Sequence, residues 1–264
     1  MGSGDVYIVR VRIRRPTVRL RQARLCRSER LDTLATATHK RMGLFHHYIA
    51  DNRNPRSWAS RLRRARFARF REVLDALPAT KRILDVGGTV GFWQNMGALD
   101  EGLAVTLLNR RAPPNDLPRG FSAIQCDARD MREIADRTFD LVLSSSVIEH
   151  VGTFDDQRRM ADEIRRVGKQ YIVQTPNRYF PIEPHFLLPL FQFYPQVLQV
   201  ELTRRFALGW YARIDDLEQA RAHVAAHRLL DARELRALFP EAVLHRERVA
   251  GLTKSFIAIG TLRD

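Results

Sequence analysis

Residues 82–94, RILDVGGTVGFWQ, bring an apolar run to an aspartate, Asp85, then to glycines at 87, 88 and 91 and the pair Phe92–Trp93. A strand, a glycine turn and a helix start in that order make a generic nucleotide cradle. Glycine permits the tight turn and lets backbone approach a ligand, while the helix N-terminus adds partial positive charge. Spacing separates the possible guests. The dinucleotide pattern G-x-G-x-x-G, started at Gly87, meets Thr89 and Phe92 where it needs glycine, and no G-x-x-x-x-G-K-[ST] phosphate loop fits the stretch. Phosphate is not the expected guest.

What does fit is an acid at a strand end with glycines two and six residues later: Asp85, Gly87 and Gly91. This resembles motif I of the class I S-adenosylmethionine (SAM)-dependent methyltransferases, D/E-h-G-x-G-x-G, with Thr89 at the central glycine and Gly88 just before it. The resemblance runs from about Lys81 to the C-terminus. Within it, LDVGGTVGFW and the later TPNRYFPIEPH are similar to an uncharacterised bacterial branch of the small-molecule methyltransferases. The resemblance implies SAM as cofactor, with Asp85 facing the ammonium and sulfonium of its methionine part and Gly87 allowing close contact.

Three further stretches follow in the family's order. Asn109, in AVTLLNRR, stands at the expected strand end 24 residues after Asp85, where folds of this kind place a ribose-binding acid roughly 20 residues on. Asparagine can accept from one hydroxyl and donate to another, without the charge. In QCDARDM the resemblance implies that Asp127 accepts from the adenine amino group, with the Ala128 backbone nearby. FDLVLSSSVIEHV reads as a buried strand whose serines, from Ser144, open the loop at its carboxyl end, where ligands bind in open α/β sheets. Ser146 and Glu149 also satisfy the S-x-x-E capping pattern, so Glu149 reads equally as structural or catalytic. His150 follows it, and E-H is common at this point of the resembling family.

Methyl transfer from SAM is an in-line displacement that needs an aligned nucleophile, excluded water and often a removed proton. The base must come from outside the cofactor motifs. Prolines at 176, 181, 184, 189 and 195 exclude one continuous helix from QTPNRYFPIEPHFLLPLFQFYP. Its aromatics, Tyr179, Phe180, Phe186, Phe191, Phe193 and Tyr194, suit a lid or pocket wall; ordinary core and a dip into a membrane surface are the alternatives. His185 is the candidate base, since its side chain titrates near the working range, and Glu183 could orient it. His150 is the other catalytic candidate.

Elements of the right kind surround these residues. Strands are expected at Arg82–Val86, Ala104–Leu108, Phe121–Gln125, Phe139–Ser144 and Gln170–Gln174, separated by helix-length segments as in a parallel sheet covered on both faces. Ala242–Val249 and Ser255–Thr261 are close enough for an antiparallel hairpin. The expected fold is therefore α/β: a Rossmann-like, seven-stranded, mostly parallel sheet with helices on both faces. Residues 56–77 show apolar positions on one helical face and should form an entry helix. The expected division is a basic, loosely packed arm at 1–55 and a catalytic domain at 56–264, with a substrate-capping insertion at about 176–215.

Composition narrows the function. The chain has 264 residues and a net charge of +14, but residues 1–71 hold 19 Lys+Arg against 4 Asp+Glu, and the remainder is nearly neutral. Only four of the 44 basic residues are lysines, which fits a compositional bias better than a phosphate-binding surface. Cys26 and Cys126 form no C-x-x-C pair, no metal is expected, and no apolar run approaches the roughly 20 residues of a membrane span. No signal-peptide core is evident, and a cytoplasmic setting fits best. The leading expectation is methyl transfer to a small-molecule acceptor, at oxygen. A nucleic-acid (RNA) methyltransferase using the basic arm is the second reading, though Ser144–Val147 stand where amine methylation of bases wants D/N-P-P-[YFW], and neither cysteine follows a proline. The third is a SAM-fold binding module without turnover, suggested by Thr89 and Asn109.

Overall fold

The computed structural model describes residues 58–77, 81–97, 103–111 and 116–262, with side chains from residue 64 onward. The expected arm at 1–55 lies outside the described residues. The chain divides into two units, Met1–Arg63 and Arg64–Asp264, and the sheet and candidate site belong to the second.

Seven strands follow the expected pattern within a few residues: β1 (Arg82–Val86), β2 (Ala104–Asn109), β3 (Phe121–Gln125), β4 (Phe139–Ser145), β5 (Gly168–Pro176), β6 (Val243–Val249) and β7 (Leu252–Thr261). They form one sheet in the order β3-β2-β1-β4-β5-β7-β6. β1 to β5 pair in parallel, while β7 runs antiparallel to both β5 and β6. The order reverses between β1 and β4, and the crevice beyond their carboxyl ends is where open sheets of this kind bind ligands.

Alternation along the strands sends neighbouring residues to opposite faces. Ile83, Leu107, Leu141 and Leu143 join one core with Trp93 and with Phe70 and Leu74 of helix α1 (Trp58–Asp75). Leu84, Val86, Val142 and Val173 join the other, under α3 (Phe154–Val167) and α6 (Ala232–Leu238). Fully burying each of these large side chains contributes about 1.5–3 kcal/mol. Short helix α2 (Val90–Met96) starts from the glycine loop, and Thr89 caps it by accepting from the Phe92 amide. That gives Thr89 a physical reason to stand where the family pattern has glycine: a hydroxyl at the N-cap satisfies a free amide.

Between β5 and α6 the chain runs through residues 177–231 outside the sheet. It contains a short turn at Phe191–Phe193, α4 (Gln196–Arg205) and α5 (Leu217–Ala225). Phe186, Phe191 and Leu208 form a small core of their own. Arg178 anchors the start of this segment to the end of it through Asp231 and Glu234, which are also the two partners of the capping box of α6.

Candidate functional site

A cavity of about 500 Å³ opens at the carboxyl ends of β1 and β2, within the size range of small-molecule sites. Gly87, Gly88, Thr89, Asn109, Asp127, Ala128 and His150 all line it. Six of these are expected cofactor residues and the seventh an expected catalytic one, gathered from the carboxyl ends of four strands, β1 to β4. Gly87 has φ +73, and a Cβ there would come 2.5 Å from Val147, so the turn and the close approach both require glycine.

Asn109 donates its amide to the Gly88 carbonyl at 2.9 Å, pinning the β2 end to the glycine loop and leaving its carbonyl oxygen as an acceptor. Asp127 is held by Arg129, which contributes a bidentate guanidinium pair at 2.9 and 2.6 Å and its own backbone amide at 3.0 Å. That hydrogen bonding keeps the Asp127 carboxyl at about 2, against a smaller opposing effect of burial. The carboxylate stays ionised and retains lone pairs for an amino donor. Cavity and residues fit an adenosine-bearing ligand: a glycine cradle at one end, a carboxamide oxygen in the middle, an ionised carboxylate beyond.

Three expected cofactor residues lie elsewhere. Asp85 does not line the cavity. It shares a sheet face with Ile83, so its carboxylate turns toward α2, where Oδ2 accepts from Trp93 Nε1 at 2.8 Å. A Cβ on Gly88 would fall 1.9 Å from that same oxygen, so the missing side chain of Gly88 makes room for the carboxylate. Burial raises Asp85 to about 7, with the Trp93 hydrogen bond pulling the other way. Gly91 lies exposed in the first turn of α2 and has open space around it. Ser144 sits within β4 rather than in the loop beyond, buried, and its Oγ has no partner among the described residues. Ser145 and Ser146 instead donate to Gln174 of β5.

The S-x-x-E cap is not formed. Ile148–His150 is a single tight turn with no side-chain cap, and the capping box of α3 is made by Thr153 and Asp156. Glu149 is thereby free of structural duty at a helix end. It is 0% exposed, one oxygen accepts from Thr175 Oγ1 at 3.0 Å, and the other, Oε1, has no partner among the described residues. Burial raises its carboxyl to about 7.

His150, on the cavity wall, meets His185 ring to ring at 4.7 Å and His227 at 4.8 Å. Glu183 accepts from His185 Nδ1 at 2.7 Å and from the backbone amides of His185 and Phe186 at 2.7 and 2.6 Å. Burial pulls His185 down, but the hydrogen bond and charge of Glu183 and the charge of Glu149 outweigh it and leave the imidazole above its ordinary value. Burial, followed by the neighbouring histidines, holds His150 at about 4, and burial holds His227 at about 4 against its hydrogen bond to the His223 carbonyl. Sequence reasoning missed His223, His227 and Tyr211. A readable signal existed for the first two, since H-x-x-x-H near the end of α5 puts both on one helical face.

Residues 99–171 match a family described as Methyltransferase domain. Two uncharacterized proteins of Mycobacterium tuberculosis, from strains CDC 1551 / Oshkosh and ATCC 25618 / H37Rv, are each 32% identical over 141 residues, covering 48% of this chain and 47% of theirs. The chain thus spans about half the length of the curated relatives it matches. Among solved structures it is similar to a 1,6-didemethyltoxoflavin-N1-methyltransferase of Burkholderia thailandensis, at 13% identity, 94% of each chain and a TM-score of 0.49. It is also similar to a SAM-dependent methyltransferase of Methanosarcina mazei, at 14% identity, 73% of this chain, 98% of that chain and a TM-score of 0.44.

Proposed function

We propose that this chain, which carries a class I SAM-dependent methyltransferase domain, transfers a methyl group to an oxygen of a small-molecule acceptor. One observation carries the reading: the cavity that collects Gly87, Gly88, Thr89, Asn109, Asp127 and Ala128 is closed on one side by His150, behind which stands the Glu183–His185 pair. Cofactor and acceptor chemistry would meet at that wall.

SAM, when bound, supplies a methyl group already activated by a sulfonium. The protein's residues do the rest. The glycine loop and the Asn109 oxygen would hold the cofactor's polar middle, and Asp127 with the Ala128 backbone its base. Asp85 would act from behind the loop, as a buried group beneath Gly88. Glu183 fixes the His185 ring through Nδ1, which leaves Nε2 available to take the proton of an acceptor hydroxyl. The segment from 177 to 230 would cap the acceptor and exclude water. No helix among the described residues is long and apolar enough to cross a membrane, and a cytoplasmic enzyme acting on dissolved metabolites suits this reading.

Calorimetric titration with S-adenosylhomocysteine tests the cofactor half. Micromolar binding is expected, weakened about tenfold in Asn109→Ala, for a loss of roughly 1.4 kcal/mol, and unchanged in His185→Ala. Labelled SAM offered with a panel of hydroxylated small molecules, and separately with RNA, tests the acceptor half. Label entering RNA alone would overturn the small-molecule reading, and absence of S-adenosylhomocysteine binding would overturn the cofactor site.

A further inference from the structure

The histidines beside the cavity are not equivalent. His227 uses both ring nitrogens internally: Nδ1 lies 2.7 Å from the His223 carbonyl and must carry the proton, so Nε2 accepts from the Tyr211 hydroxyl at 2.7 Å. His185 spends only Nδ1, on Glu183. No hydrogen bond engages the His150 ring nitrogens among the described residues, and Glu149 keeps one oxygen unpaired. A ring nitrogen of His150, one of His185 and a carboxylate oxygen of Glu149 all lie within 4.8 Å of one another.

A fully buried carboxyl oxygen without a hydrogen-bond partner is costly and rare in folded proteins. Nothing in the fold compels that cost, since Glu149 caps no helix and its other oxygen needs only the Thr175 hydroxyl. The unpaired oxygen is explained if its partner is an ion. The arrangement around His185 has the same logic. A metal-binding imidazole typically gives its second N–H to a carboxylate, which fixes ring orientation and raises ligand basicity, and Glu183 stands at that position.

We infer that Glu149, His150 and His185 form a binding site for one divalent transition-metal cation of the zinc type, at the wall of the cofactor cavity. Two imidazoles and one carboxylate suit zinc, iron or cobalt and are poorly suited to magnesium or calcium, which take oxygen ligands. Bonds of about 2.0–2.2 Å place tetrahedral ligand atoms roughly 3.3 Å apart, so the two imidazoles swing inward on binding. Three protein ligands leave a coordination position open. His150 belongs both to the ligand set and to the cavity lining, so the ion lies where an acceptor oxygen would approach the cofactor. The role assigned to the ion, holding an acceptor hydroxyl and easing loss of its proton to solvent, rests on the methyl-transfer reading; the binding site itself does not. His185 then acts through the ion rather than as a direct base.

The test uses the full chain, stripped with a chelator and dialysed. Titration with zinc chloride should show one equivalent bound, magnesium chloride should show none at the same concentration, and cobalt(II) should give the visible absorption of a four- or five-coordinate site. Glu149→Gln and His185→Ala should each weaken zinc about 100-fold, and Glu183→Gln about 10- to 100-fold. His227→Ala should keep one equivalent. Titration with S-adenosylhomocysteine on every variant serves as the folding control and reports separately on the cofactor reading. Failure to bind one equivalent of zinc, or binding that survives Glu149→Gln combined with His185→Ala, would overturn the site. If that happens while chelator-treated protein still methylates an acceptor and His185→Ala does not, His185 is the base itself.

Discussion

Two carboxyl groups stand near the ends of neighbouring strands and share deep burial and its effect on titration. Asp85 in β1 is 2% exposed and Glu149, just past β4, is 0% exposed; burial raises both to about 7. Their hydrogen bonding separates them. Asp85 has an indole donor on the core side and a side-chain-free glycine folded over it. Glu149 has a hydroxyl on one oxygen and nothing on the other among the described residues. The difference teaches that burial and a shifted carboxyl do not by themselves mark chemistry, because structural groups acquire both. A fitted partner seats Asp85 within the loop, whereas Glu149 keeps one oxygen for the ion proposed above.

The strongest way to break this contrast is to crowd the Asp85 seat. Gly88→Ala places a carbon 1.9 Å from Asp85 Oδ2 and 2.0 Å from Cγ, so the carboxylate must leave its position or the loop must rise. Overpacking of this kind costs about 1–3 kcal/mol, and separating a buried carboxyl from its donor adds to it. We expect the unfolding midpoint to fall by several degrees and S-adenosylhomocysteine affinity by about 100-fold or more, read by calorimetry. An unchanged midpoint would mean that the glycine is not what seats Asp85.

How far these roles were legible follows from the same two residues. The strands were readable because apolar runs end at glycine, asparagine or serine, and β1 to β5 appear where those runs are. Asn109, the last residue of β2, and Asp127 and Ala128, in the loop just past β3, lie on the cavity because the carboxyl ends of parallel strands face the ligand crevice. Asp85 was singled out by its motif, and the structure turns its carboxylate toward Trp93. Counting alternation from Ile83 would have turned it toward Trp93, eight residues on, because both belong to the same face. Glu149 was obscured by Ser146, which mimics a cap. The true cap begins at Thr153, where a hydroxyl residue precedes the amphipathic pattern of α3. His223, His227 and Tyr211 converge on His185 only through folding of the segment 177–231, which has no regular period to project from.

A smaller perturbation removes the donor and leaves the space. Trp93→Phe keeps most of the ring packing against Phe92 and Phe121 but takes away the indole N–H. Loss of a buried hydrogen bond with one partner left behind costs about 1–3 kcal/mol. The bond favours the ionised form of Asp85, so its loss raises the carboxyl further. Destabilisation should therefore be larger at pH 8 than at pH 5. Chemical denaturation at the two pH values checks it, and equal losses at both would show that the indole acts through packing alone.

The finest test changes the charge and keeps the shape. In the folded protein Asp85 holds its proton up to about 7, while an unfolded chain releases it near the ordinary carboxylate value of 3.8. Below about pH 4 both states are protonated and the group costs nothing. As pH rises from there toward 7, the unfolded state binds fewer protons than the folded one, so wild-type stability falls, then levels off once both are ionised. Asp85→Asn escapes that loss, and its carbonyl still accepts from Trp93. Its amide nitrogen, however, takes the place of Oδ1, and burying an amide without full hydrogen bonding costs about 1–3 kcal/mol. The two effects oppose each other. The variant should be less stable than wild type at pH 4 and more stable, by about 1 kcal/mol, at pH 8, with the curves crossing between. A stability difference that does not change with pH would place Asp85 ionised in the folded state, and the likeness between the two carboxylates would then be confined to their burial.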